Sequence, residues 1–169
     1  MKNILIIGVS RSGKTRLAKK LKKENNYNYI PLDYFTSSLK RNFPSTNIKS
    51  NVVIDKESSK NLALLLSRVI EIIDFQEEKY IIDSAHLYPE DIIKYIDLDK
   101  WDIYCLGYPN ISKEEKLEQI RKYDKENHWT NKKSDTELLN TLSELINISK
   151  ILEEQCKEYN INFIDTSNN

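Results

Sequence analysis

Two hydrophobic rhythms alternate along this chain: short unbroken apolar runs, and longer stretches with helical spacing between them. Asn3 to Ile7 is the first run, free of charge, as a parallel strand buried on both faces should be. Lys14 to Glu24 then places Leu17, Ala18 and Leu21 on one helical face. Tyr29 to Leu32 reads as a second strand ending at Asp33. Lys56 to Phe75 reads as a long amphipathic helix whose stripe includes Leu62, Leu65, Leu66, Val69, Ile70 and Ile73. Tyr80 to Ile82 is a third strand, ending at Asp83. Pro89 opens a short helix over Glu90 to Tyr95, since proline suits a first helical turn. Trp101 to Leu106 is a fourth strand. Ser112 and Glu115 have capping-box spacing before a helix over Lys113 to Asp124. Asp135 or Thr136 starts the last helix, which runs to Tyr159, and Asn162 to Ile164 is a fifth strand ending at Asp165.

Strands alternating with helices predict βαβ crossovers, hence an α/β three-layer sandwich around a five-stranded parallel sheet. A length of 169 residues favours a single domain over residues 1–169. The 26 Lys and Arg cancel the 26 Asp and Glu, so charge gives no case for nucleic acid or membrane as partner. Cys105 and Cys156 make no disulfide framework, and the run Ile4 to Ile7 is too short for a leader or a membrane span. Both features predict a cytoplasmic protein. His86 and His128 have no zinc-site spacing with those cysteines. Monomer and homodimer both remain open.

One motif carries chemistry. Gly8-Val9-Ser10-Arg11-Ser12-Gly13-Lys14-Thr15 is a complete Gly-x-x-x-x-Gly-Lys-Thr, with a buried strand before it and a helix after it. The chain has 3 glycines, and two of them, Gly8 and Gly13, are spent here. Glycine lets a backbone turn and approach a phosphate closely. The loop N–H groups, including those of Ser10, Arg11 and Ser12, form an anion nest at the start of a helix. Lys14 is expected to reach the β- and γ-phosphates of ATP, and the Thr15 hydroxyl to ligate Mg²⁺. A GTPase would carry Asn-Lys-x-Asp after a late strand, and Asn131-Lys132-Lys133-Ser134-Asp135 has the wrong spacing. An ATPase motor would follow its strand-end aspartate with glutamate, whereas here Asp83 precedes Ser84.

What remains resembles the P-loop small-molecule kinases, the nucleoside and nucleotide kinase group. Tyr29-Ile30-Pro31-Leu32-Asp33-Tyr34-Phe35 is similar to the stretch of uridine-kinase-like enzymes in which a strand ends in an aspartate followed by aromatics. The resemblance implies the sheet order 2-3-1-4-5 and γ-phosphate transfer to a hydroxyl of a small acceptor. It makes Asp33 the proton acceptor and the catalytic partner of Lys14. Asp83-Ser84 stands where those enzymes often have Glu-Gly, which leaves Asp83 between the magnesium shell and a substrate contact. The polar segment Tyr108 to Asp135 resembles their lid, with Arg121 as its arginine over the phosphates. The stretch from Tyr34 to Asp55 and the helix that follows would form the acceptor pocket, with Tyr34, Arg41, Arg68 and His86 as further substrate contacts. The rival readings are a nucleoside monophosphate kinase, which would use Arg41 and Arg68 on an acceptor phosphate, and a regulatory module that binds ATP without transferring it.

Overall fold

The computed structural model describes residues 1–124, 126 and 128–168. In chain order its elements are β1 (Asn3–Gly8), α1 (Lys14–Glu24), β2 (Asn28–Pro31), α2 (Asp33–Asn42), α3 (Lys56–Ile73), β3 (Tyr80–Asp83), α4 (Pro89–Ile92), β4 (Trp101–Gly107), α5 (Lys113–Tyr123), α6 (Asp135–Glu158) and β5 (Asn162–Asp165). Short 3-10 turns lie at Pro44–Thr46, Ile93–Tyr95 and Trp129–Lys132.

The strands form one five-stranded sheet in the order β2-β3-β1-β4-β5, with every pairing parallel. This is the order the resemblance implied. β1 is central and wholly buried. Its alternation divides the apolar residues between two cores. Leu5, Ile7 and Val9 join Leu62 and Leu66 of α3, Ile92 of α4 and Leu142 and Leu145 of α6. Ile4 and Ile6 face the other way, onto Ala18 of α1, Tyr27, Ile81 and Leu106. A run with no polar face is therefore what a strand covered on both sides requires. The chain leaves β1 for β2 on one side and reaches β4 on the other, so the carboxyl ends of the strands open a crevice around β1.

Local chemistry sets the helix starts. Ser112 and Glu115 form the expected capping box on α5. Ser134 and Glu137 form another on α6, which places its first residue at Asp135 rather than Thr136. Asp55 caps α3 by accepting from the Ser58 N–H. Two segments differ from expectation. The stretch after β2 is helix α2 from Asp33 itself, with Thr36 as its buried residue. The Pro89 helix is α-helical only to Ile92 and then tightens into a 3-10 turn. The lid-like segment 108–135 contains Lys125 and Asn127, which lie outside the described residues. Among the described residues, no helix is long and apolar enough to cross a membrane.

Candidate functional site

The loop after β1 needs both of its glycines. Gly8 has φ +135°, and a Cβ there would stand 2.0 Å from the Leu106 carbonyl oxygen on β4. Gly13 has φ +93° and precedes α1 without any side-chain cap. Arg11 between them also takes a positive φ, 63°, a conformation that costs a non-glycine residue energy. Lys14 folds back to donate to the Val9 carbonyl at 2.7 Å, and Ser12 Oγ donates to the same oxygen at 2.8 Å. Those two bonds curl the loop, while the uncapped first turn of α1 leaves its N–H groups for an anion. Burial pulls the Lys14 pKa below the usual lysine value, against the opposing charges of Asp83 and Asp33.

Strand ends bring the acidic groups to this loop. Asp83 closes β3 and is buried. Its Oδ2 accepts from Thr15 Oγ1 at 2.9 Å and from the Tyr29 hydroxyl at 2.9 Å. Burial first, and the Asp83 charge second, push the Tyr29 phenol well above its ordinary pKa, so it stays a donor. The paired Thr15 hydroxyl and Asp83 carboxylate are hard oxygen donors, of the kind that fit Mg²⁺ when phosphates and water complete its shell. No cluster of three or more His, Cys, Asp or Glu with metal-site geometry occurs among the described residues, so a cage supplied wholly by such side chains is not what this site offers.

Asp33 begins α2 with an exposed carboxylate, and its Oδ1 lies 3.5 Å from His86 Nε2. His86 follows β3 and is buried. Desolvation lowers its pKa, Asp33 raises it, and Lys14 and Lys40 lower it again. The net direction favours a neutral ring against the carboxylate.

On its other side the loop faces a cavity of about 690 Å³ roofed by α5, lined by Arg11, Lys14, Arg16, Lys19 and Lys116 among others. A second space of about 490 Å³ continues from Arg11 and Gly13 towards Leu106, Ile164 and Thr166 at the ends of β4 and β5. Among the described residues, no carboxylate lines either one. The lining is therefore rich in cations, although Asp124 is paired with Arg11 and lies against His128.

Asp124, at the end of α5, gathers contacts from the segment that follows it and from the loop. Its Oδ1 accepts from Thr130 Oγ1 at 2.7 Å, lies 2.8 Å from His128 Nδ1, and is 3.2 Å from Arg11 Nη2. Burial works against the Asp124 carboxylate, but the contacts from Thr130 and His128 and the Arg11 charge outweigh it and hold its pKa below the usual range. Arg121 donates to the carbonyls of Thr130 and Lys133 and to Asp135 Oδ1.

The expected residues thus separate. Lys14, Thr15, Asp33, Asp83 and His86 come together at the loop's mouth. Gly8, Ser10, Arg11, Ser12 and Gly13 form the loop itself, with the Ser10 carbonyl accepting from the Tyr108 hydroxyl at 2.9 Å. Arg121 is engaged by the Thr130 and Lys133 carbonyls and by Asp135 Oδ1, so it ties α5 to the start of α6. Tyr34 and Arg41 sit exposed on α2. Arg68 is bonded to Glu71 of its own helix at 2.7 Å and lines neither cavity. Tyr29, Lys116 and Asp124 were missed by the sequence reading. Tyr29 shares a strand face with Pro31, which pairs with Asp83, so its contact depends on the β2–β3 register, which the pattern of one strand does not reveal. A lysine in a polar, lysine-rich helix such as α5 gives no sign of burial.

The sequence matches no protein-family profile and no curated protein. Solved structures do match. Shikimate kinase from Bacteroides thetaiotaomicron has a TM-score of 0.60 at 14% identity, covering 98% of this chain and 87% of its own. Shikimate kinase from Acinetobacter baumannii, solved in complex with shikimate, has a TM-score of 0.58 at 14% identity, covering 98% and 83%. A gluconokinase from Sinorhizobium meliloti 1021 has a TM-score of 0.50 at 13% identity, covering 91% and 97%. At such identities the likeness is one of fold: the chain has the fold of P-loop small-molecule kinases.

Proposed function

We propose that this protein transfers the γ-phosphoryl group of ATP to a hydroxyl group of a small molecule. The observation that carries the reading is the convergence of Lys14, the Thr15–Asp83 pair and Asp33 at one loop mouth. A triphosphate lies along the loop N–H groups with its charge met by Lys14, Arg11 and the start of α1. Thr15 and Asp83 are the residues that would hold Mg²⁺, which would supply positive charge against the phosphates. Asp33 stands on the acceptor side. It accepts the proton of the acceptor hydroxyl as that oxygen bonds to the γ-phosphorus and the bond to the β–γ bridging oxygen breaks, releasing ADP. His86 presents a neutral ring to Asp33 and leaves the other carboxylate oxygen for the acceptor. The fold shared with shikimate kinases and a gluconokinase supports a hydroxyl acceptor. So does an aspartate at the position where an acceptor phosphate would instead need arginines.

The test is ADP production from ATP with Mg²⁺, measured with and without a panel of hydroxy acids, sugars, nucleosides and nucleotides. Acceptor-dependent turnover that falls by about a hundredfold or more in Asp33→Asn is expected, the scale of a lost general base. Turnover equal with and without acceptors would mean an ATPase. ATP binding with no turnover would mean a regulatory module.

A further inference from the structure

We propose that Lys116 is a phosphate-binding residue of this site, without a carboxylate partner among the described residues, so that the incoming nucleotide supplies its counter-ion. The proposal deepens the reading above and rests on it. Lys116 lies on α5 and is 4% exposed. It lines both spaces that flank the loop. An ammonium that deep is normally matched by a carboxylate, because an unmatched buried charge is costly. Here its polar contact is the neutral Gln119 Oε1 at 3.3 Å, and its Nζ sits 4.2 Å from the centre of the Tyr108 ring. The Tyr108 hydroxyl in turn donates to the Ser10 carbonyl of the loop. A ring quadrupole stabilises a cation partway without neutralising it. The amine is therefore set beside the phosphate loop, on a rigid platform, and kept short of an anion.

The groups that face it strengthen the case. From the loop comes Arg11, from α1 Arg16, Lys19 and Lys20, from the end of α5 itself Tyr123, and from the segment after α5 His128. None is an acid. Burial first, and then the Arg11 charge, pull the Lys116 pKa down to about 8. A bound polyphosphate reverses both effects by adding negative charge, so the amine takes up a proton as the ligand arrives. The nucleotide-free protein bears the burial cost, and the complex recovers it.

A purely structural lysine would behave differently from a phosphate ligand on substitution. Lys116→Met keeps the stem over Tyr108 and removes the charge. It is expected to raise the melting temperature of the free protein while weakening MgADP binding by about tenfold or more, the scale of a lost charge-assisted bond. Calorimetry near pH 8 in two buffers of different ionisation enthalpy is expected to show proton uptake by the wild type, lost in Lys116→Met, with Lys116→Arg restoring affinity but not uptake. Tripolyphosphate is the second probe. If MgADP fails to bind the wild type but tripolyphosphate binds in a Lys116-dependent way, the inference stands and the nucleotide reading falls. If the wild type binds MgADP and Lys116→Met binds it equally well, the inference is overturned while the nucleotide reading survives. Binding of neither probe overturns both.

Discussion

Gly8→Ala tests the geometry that opens the loop. An alanine Cβ at Gly8 would lie 2.0 Å from the Leu106 carbonyl oxygen, where ordinary contact begins at 3.4 Å, an overlap of about 1.4 Å. That oxygen is backbone and accepts the Val9 N–H at 3.1 Å, so it cannot swing aside as a side chain would. Relief requires β1 and β4 to part at the head of the loop, losing the Val9 bond at about 1 kcal/mol. The φ of +135° at Gly8 adds strain of about 1–3 kcal/mol for alanine. The sum is roughly 2–4 kcal/mol, and at about 2–4 °C per kcal/mol for a domain of this size the melting temperature should fall by roughly 10 °C. Gly13→Ala is the internal control. Its Cβ would meet nothing within 4 Å, so only the strain of φ +93° remains. Thermal unfolding of both variants by circular dichroism separates the two contributions. If Gly8→Ala loses no more stability than Gly13→Ala, the close approach of β4 to the loop is not what demands glycine there.

Other consequences are separately measurable. Tyr29→Phe removes one of the two donors on Asp83 Oδ2 and should cost about 1 kcal/mol in denaturant unfolding, while kcat falls more than KM for ATP rises. Asp124→Ala leaves Arg11 without its lid carboxylate; it should destabilise by about 3 kcal/mol, the scale for breaking a buried pair, and should speed proteolysis between α5 and α6. Arg68→Ala should change stability by less than about 0.5 kcal/mol, as an exposed pair on one helix does, and leave acceptor KM unchanged. For pH, the sign follows from the lowered Lys116 value. Between about 8, its folded value, and the ordinary 10.5 the unfolded chain binds more protons. Stability of the free protein should therefore rise with pH across that window, towards a limit of about 3 kcal/mol. The part of the rise due to Lys116 should vanish in Lys116→Met.

Much of the fold was legible because its signals are local. An unbroken apolar run marked β1, a capping box marked α5, and the glycine spacing marked the loop. Helix α2 was not legible. Tyr34, Phe35 and Thr36 are weak helix formers, and Leu32 in the cap position gives no side-chain signal. Its formation depends on Thr36 packing down and on Leu32 N–H bonding to the Asp83 carbonyl at 2.9 Å, which sequence spacing does not reveal. The same limit applies at the site. Lys14 and Thr15 were readable from the motif, and Asp33 and Asp83 from their places at strand ends. Tyr29 reaches Asp83 across 54 positions, and Asp124 reaches Arg11 across 113. Lys116 looked like one more surface lysine, because its burial is a product of how α5 roofs the loop.

The fate of the γ-phosphate is the most direct test of phosphoryl transfer by this protein. ATP labelled at that position, incubated with Mg²⁺ and the acceptor that best stimulates ADP release, should pass its label to the acceptor hydroxyl in equal amount to the ADP formed. Asp33→Asn should slow that transfer by about a hundredfold or more while still binding MgADP. Label recovered as free phosphate, or transfer unchanged in Asp33→Asn, would contradict it.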